Sequence, residues 1–173
     1  MNVIELIRSR ESIRSFDPER PVSQDVLMQI AEAGRLAPSA ANLQPWRFIF
    51  ASSCDALQAV RSIYPRTWFA DAPHVLIVVG NKDVAWRRQD GYNSLENDLA
   101  IAMDHMILAA TNFGVATCWV GNFDYEQLRN ILQLSENEIV YALTPLGYPK
   151  TDFEAKAKKT NVGFICMLNN YLQ

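Results

Sequence analysis

Four residues near the N-terminus, Arg8, Arg10, Ser12 and Arg14, are of the types that bind anions. Arg10 and Arg14 are four apart, so on a helix they would share a face. With the Ser12 hydroxyl they could then clamp a phosphate or a carboxylate through charge-assisted hydrogen bonds. The same residues also read as a solvated basic turn, and spacing alone does not separate the two. A second constellation is the loop Ala37-Pro38-Ser39-Ala40-Ala41-Asn42-Leu43-Gln44-Pro45-Trp46. Its prolines stiffen it, and Ser39, Asn42 and Gln44 offer short polar groups suited to reading the edge of a planar heterocycle. It reads equally well as a hydrogen-bonded connector. In a third stretch, Gly114 to Asp124, glycines bracket a strand that turns sharply into a helix. Backbone N–H groups can approach a ligand closely at such a turn.

Other candidates are weaker. The third stretch is not a G-x-G-x-x-G fingerprint and lacks the P-loop lysine. Cys118 falls inside the expected strand and reads as buried filler rather than a nucleophile. His105 lies mid-helix beside Asp104 and His74 precedes a strand, so both read as structural. Ser39 has no neighbouring histidine and no G-x-S-x-G elbow. The sequence offers no persuasive triad, metal site or carboxylate pair. An enzyme made this way leaves the reaction to a bound cofactor and contributes position and electrostatics.

The elements that must position these residues follow from local patterns. A first helix starts at Asn2, with Glu5 completing a capping box. A second follows Pro21, is capped by Ser23, and stops between Gly34 and Pro38 because Pro38 disfavours helix geometry in Ala37. Residues 46–51 and 75–80 read as strands, the latter continuously apolar as in a strand covered on both faces. The longest helix runs from Ser94 to Phe113. Between Leu99 and Ala110 it is apolar on nearly every face, so it must be buried all round, within the chain or against a second subunit. Gly114 is a natural C′ residue for it. A strand at 116–120, a helix opened by Asp124, and a strand at 139–146 ending in Pro-Leu-Gly-Tyr-Pro complete the pattern. The expected fold is an α/β or α+β sandwich.

Composition limits the rest. The 173 residues fit one domain spanning 1–173, with a C-terminal arm at about 151–173. A hydrophobic fraction of 49% with 20% charged residues supports a real core and excludes a disordered chain. Sixteen basic against nineteen acidic residues give a net charge of -3, so no bulk field favours nucleic acid or an anionic membrane. Three cysteines without a C-x-x-C motif fit a reducing compartment. The early charges in MNVIELIRSRES and the absence of a long apolar run lead to the expectation of a soluble, cytoplasmic protein.

Four segments together name a family. The R-x-S-I-R-x-F turn from Arg10 to Phe16, the APSAANLQPWRF loop, the GVATCWVGNFD segment and the PLGYP ending occur in the order and spacing of the FMN-dependent nitroreductase family. The resemblance covers about residues 1–150. It implies an α+β sandwich with a central, mainly antiparallel sheet flanked by helices. It also implies a homodimer formed through long central helices, with FMN at the interface. Arg10 would hold the FMN phosphate, and Ser12 and Arg14 would contact the ribityl chain and the pyrimidine edge. Pro38, Ser39 and Ala40 would reach over the ring from the other subunit, with Asn42 and Gln44 nearby. Trp119, Val120 and Gly121 would pass behind it and offer backbone N–H groups. The implied reaction takes a hydride from NADH or NADPH and passes it, by a ping-pong mechanism, to nitroaromatics, quinones or similar electron-poor acceptors. No catalytic side chain is required, and Arg14 is the candidate for stabilising charge on the reduced ring.

The sequence departs from the family in places. Glu11 stands where a basic residue or histidine is common. Lys156, Lys158 and Lys159 replace the usual C-terminal basic pair with arginine, Lys158 being the candidate phosphate contact. The tail after Thr160 is hydrophobic enough to embrace a partner subunit. Arg66 is a weak stand-in for a flavin-contacting polar pair of longer members. Trp68, Phe69 and Tyr92 are candidates for the substrate pocket, although plain core packing explains them as well. Two other functions are compatible with the sequence: a non-turnover protein that stores FMN or senses redox state, and reductive dehalogenation or flavin fragmentation.

Overall fold

The computed structural model describes residues 2–150. Lys156, Lys158, Lys159 and the C-terminal arm lie outside the described residues. Helix α1 (Val3–Ser9) opens on the expected capping box: Asn2 Oδ1 accepts the Glu5 N–H at 2.9 Å and the Glu5 carboxylate accepts the Asn2 N–H at 3.0 Å. Helix α2 (Gln24–Arg35) is capped by Ser23, whose Oγ accepts the Val26 N–H. Then come strand β1 (Trp46–Ala51), helices α3 (Cys54–Ser62) and α4 (Thr67–Ala70), and strand β2 (His74–Asn81). The long helix α5 (Leu95–Asn112), strand β3 (Ala116–Thr117), helix α6 (Tyr125–Ile131) and strand β4 (Glu138–Gly147) follow. Gly114, at φ 69°, ends α5 in the left-handed conformation that only glycine adopts without cost.

The sheet has the order β1-β2-β4-β3, with every neighbour antiparallel. Because side chains alternate along a strand, β2 serves two cores. Leu76 and Val78 join Ile30, Leu99, Met103 and Met106 beneath α2 and α5. Val75, Ile77 and Val79 join Leu57, Phe69 and Leu128 beneath α3, α4 and α6. The continuous apolar run expected of a doubly covered strand therefore has that cause. Gly34 allows α2 to press onto α5: a Cβ there would come within 2.8 Å of Met106 and 2.9 Å of Phe48.

One expectation needs correction. The strand foreseen at 116–120 ends at Thr117, with Val120 returning as an isolated bridge to Leu143. The next pairing along β4 falls at Pro145, which has no N–H to give. The Cys118 N–H turns instead to the Thr144 hydroxyl at 3.0 Å. Helix α5, expected to be buried within the chain or against a second subunit, is not fully enclosed by its own chain. Leu95, Leu99, Met103 and Met106 are buried, but Ile101 is 37% exposed and Leu108 and Ala109 are only half-buried.

His74 is structural, as expected, and carries a pH dependence. Its Nε2 accepts the Val22 N–H at 3.1 Å, so Nδ1 carries the proton and donates to Ser52 Oγ at 2.8 Å. Burial lowers its pKa below the ordinary histidine value. The unfolded chain then takes up a proton at about pH 6.5 while the native state resists it. Stability contributed by this group is thus present above pH 6.5 and is lost as pH falls toward the folded value. In thermal melts between pH 7 and pH 5, the His74→Gln variant is expected to lose less stability on acidification than the parent. The slopes differ by at most about one proton per molecule.

Candidate functional site

The basic segment is not helical where its charges matter. Helix α1 ends at Ser9, and Arg10 is its C-cap with extended backbone angles of φ -66° and ψ 124°. From there the chain runs beside β3: the Ile13 N–H donates to the Thr117 carbonyl at 2.9 Å and Ser12 forms a parallel bridge with Thr117. Arg10 and Arg14 therefore do not share a helix face. Ser12 and Arg14 are both exposed, whereas Ile13 between them packs toward Phe16, Ala72 and Ala116. That is the period-2 alternation of an extended chain.

This course brings two of the three constellations together. Cys118, 2% exposed, has a thiol pushed up in pKa by burial. Arg14, Ser12 and Arg10 lie close enough to pull it the other way without cancelling the effect. The thiol is thus a protonated, buried group beneath the cations, which agrees with its reading as filler. Among the described residues, neither Arg10 nor Arg14 has a carboxylate partner. The Arg14 guanidinium lies 5.8 Å from the centre of the Trp68 ring. Trp68 in turn stacks on Phe16 at 6.3 Å and meets Tyr64 and Phe69 edge-on.

The adjoining 119–121 segment supplies backbone groups. Val120 is committed to the sheet, its N–H donating to the Leu143 carbonyl at 2.8 Å and its carbonyl accepting the Leu143 N–H at 3.1 Å. Of the segment expected to offer backbone N–H groups, Val120 is therefore excluded, because its N–H is already taken by the sheet. Gly121 is exposed, and a Cβ built on it would meet no atom within 4 Å. Trp119 is 40% exposed and packs edge-on against Tyr141, with ring centres 5.8 Å apart. Tyr141 owes its place to a bulge: Val78 pairs with Ala142 and Val79 with Val140, leaving Tyr141 outside the register. Burial, then the nearby Glu96 charge, raises its phenol pKa.

The second constellation, the 37–46 loop, stands apart. Ser39 precedes a 3-10 turn (Ala40–Asn42), and its Oγ accepts the Gln44 N–H at 2.9 Å. Gln44 Nε2 donates to Asn42 Oδ1 at 3.0 Å. Pro38 is exposed, as are Asn42 and Gln44. Ala41, Asn42 and Gln44 have φ of 51°, 56° and 49°, left-handed values that cost on the order of 1–2 kcal/mol for a residue with a Cβ. Strain of this kind concentrates at functional sites. Among the described residues, no hydrogen bond, ion pair or ring contact joins this loop to Arg10, Ser12 or Arg14.

The aromatic candidates separate. Phe69 is fully buried against Tyr64 and Trp68, so it faces no ligand, which corrects its place in the substrate pocket. Tyr92 is 37% exposed. It lines a cavity of about 320 Å³ with Lys82, Arg87, Asn93 and Glu96. Arg66, considered for a missing polar pair, is the N-cap of α4. Among the described residues there is no cluster of metal-ligating side chains, and no helix is long and apolar enough to cross a membrane.

Comparison with known proteins gives this arrangement a family. The profile of the Nitroreductase family matches residues 7–68 and 61–148. A candidate NADH dehydrogenase/NAD(P)H nitroreductase of Methanothermobacter thermautotrophicus is 30% identical, over 86% of this chain and 78% of its own length. The crystal structure of a nitroreductase family protein from Clostridium difficile superposes with a TM-score of 0.83 at 30% identity, covering 91% of this chain and 88% of that one. A Bacteroides fragilis nitroreductase with bound FMN superposes at 0.74 with 26% identity, covering 96% and 99%. With the family profile matching most of its length and its four-stranded antiparallel sheet and flanking helices superposing on solved members, the chain belongs to the nitroreductase family.

Proposed function

We propose that the protein is an FMN-dependent oxidoreductase that carries hydride from NADH or NADPH to nitroaromatic, quinone or similar electron-poor acceptors. The observation that carries this reading is the pairing of Arg10, Ser12 and Arg14 with the open backbone at Gly121. Two cations that have no carboxylate partner among the described residues, together with a hydroxyl, suit a phosphate and its polyol chain. A glycine with empty space before it suits the approach of a flat ring. The residues fit the cofactor. FMN held there would supply the hydride-transfer chemistry, and ping-pong kinetics are expected if nicotinamide and acceptor use the same slot in turn.

The protein's own contributions are binding and electrostatics. Arg10 would hold the phosphate, and Ser12 would donate to the polyol chain. Arg14, steadied over Trp68, would supply positive charge to balance negative charge on a reduced cofactor. The Gly121 backbone, open to solvent, would leave room for the ring. The strained Ser39–Gln44 loop, which no hydrogen bond or ion pair joins to the arginines among the described residues, would serve the site of a second copy. Val3, Ile4 and Ile7 of α1 and Ile101 of α5 are exposed apolar side chains, which supports such a homodimer. Trp68 and Tyr92 remain the candidates for meeting the acceptor.

A visible spectrum of the purified protein, followed by anaerobic addition of NADH and then NADPH, tests the proposal. The expected result is a flavin spectrum bleached by at least one nucleotide and restored by a quinone or nitroaromatic. A yellow protein that neither nucleotide bleaches would point to storage or sensing. A colourless protein that FMN cannot reconstitute would overturn the reading.

A further inference from the structure

We propose that Asp98 is a positioning residue that latches the strained 39–44 loop to α5 and so sets the geometry that loop presents to FMN, an inference resting on the function proposed above. Asp98 is 3% exposed, in the first turn of α5. Its Oδ1 accepts the Ala40 N–H at 3.0 Å, and its Oδ2 accepts the Ser94 hydroxyl at 2.8 Å. Ser94 is itself 3% exposed. No lysine or arginine forms an ion pair with Asp98 among the described residues. A carboxylate withdrawn from water without a cation is costly and must be held by its donors. The α5 N-terminus contributes the favourable end of the helix dipole.

What that carboxylate grips is the start of the 3-10 turn, immediately before the left-handed Ala41 and Asn42. Left-handed φ at residues with a Cβ persists only where surrounding bonds over-determine the backbone. Four ties inside the loop, from the Gln44 N–H to Ser39 Oγ, Gln44 Nε2 to Asn42 Oδ1, the Asn42 N–H to the Ser39 carbonyl and the Leu43 N–H to the Ala40 carbonyl, fix its shape but not its position on the protein. On its C-terminal side the loop is tied to the sheet through the Asn81 N–H and the Pro45 carbonyl at 2.9 Å. On its N-terminal side, the tie to α5 is the Asp98 carboxylate. Loop and helix thereby move as one body.

The test compares Asp98→Leu with Asp98→Asn. Leucine removes both acceptors at similar size. Asparagine keeps Oδ1 for Ala40, and the Ser94 hydroxyl can rotate to accept from its Nδ2. Hydrogen–deuterium exchange should show the 40–44 amides of Asp98→Leu exchanging at least roughly tenfold faster, with FMN affinity reduced by a similar factor. Asp98→Asn should restore both to within about threefold of the parent. If Asp98→Leu does not fold, Ala40→Pro removes the donor from the loop side. Proline is tolerated at a first helical position, and Ser39 already has the extended conformation that precedes proline. The same faster exchange and weaker FMN binding are expected of it. The proposal is overturned if the 40–44 amides keep their protection without the bond, or if the loop loosens and FMN affinity does not change. A parent protein that binds no FMN would refute the oxidoreductase reading, while exchange would still report whether Asp98 holds the loop.

Discussion

Replacing Arg10 by alanine is expected to strip the protein of FMN while leaving its fold and its oligomeric state intact. The backbone of Arg10 closes α1 through an N–H bond to the Leu6 carbonyl, which alanine also makes. Its guanidinium has no ion-pair partner among the described residues, so removal leaves no buried charge stranded. A hydrogen bond to a charged group contributes about 1.5–3 kcal/mol, so FMN binding should weaken roughly 10- to 150-fold. Arg10→Lys should fall between, since lysine keeps the charge but loses the two-pronged geometry that matches a phosphate. Fluorescence titration of FMN into the apo-protein gives the affinities, and size-exclusion chromatography reports the assembly. Full FMN occupancy in Arg10→Ala would remove the phosphate assignment.

That prediction could be framed from sequence because arginine and serine are anion-binding residue types wherever they stand, although spacing alone misplaced them on a helix face. Asn2 and Glu5, Ser23, Gly114 and the run at 75–80 each act through neighbours a few residues away or through a repeating pattern. Such signals are local and legible. The course of Arg10 to Phe16 is fixed instead by the Thr117 carbonyl, about a hundred residues along the chain. No local pattern reveals that distant acceptor, and a spacing of four invited the helical reading. Adjacent aromatics posed a similar ambiguity. Trp68 and Phe69 lie on one short turn of α4, where successive side chains diverge by about 100°. One lies beneath Arg14 and the other lies in the core, and composition is indifferent to which. Tyr141 was missed because a bulge is a property of two paired strands. Asp98 was missed because an acidic residue in a helix's first turn already has a sufficient local explanation.

Gly121 should respond in the opposite way from a core glycine, and the contrast makes it the stronger test of where the ring lies. At Gly80 a Cβ would come within 2.5 Å of Leu99, so any side chain there would disturb the fold. At Gly121 the corresponding space is empty, and φ lies outside the left-handed region. Gly121→Val should therefore change the stability of the apo-protein by no more than about 0.5 kcal/mol, as surface substitutions generally do. A ligand ring lying against this backbone would meet the new methyl groups directly. Forcing atoms into a close-packed contact costs about 1–3 kcal/mol, so FMN affinity should fall roughly 5- to 150-fold. The Gly121 amide would also be screened from a ring edge that needs a donor. Thermal melts of the apo-protein and FMN titration of the same preparation separate the two effects. An unchanged melting temperature with lost FMN binding places the ring against Gly121. Undiminished FMN affinity would mean that the cofactor lies elsewhere, whatever Arg10→Ala shows, because a phosphate clamp does not by itself fix the direction in which the ring extends.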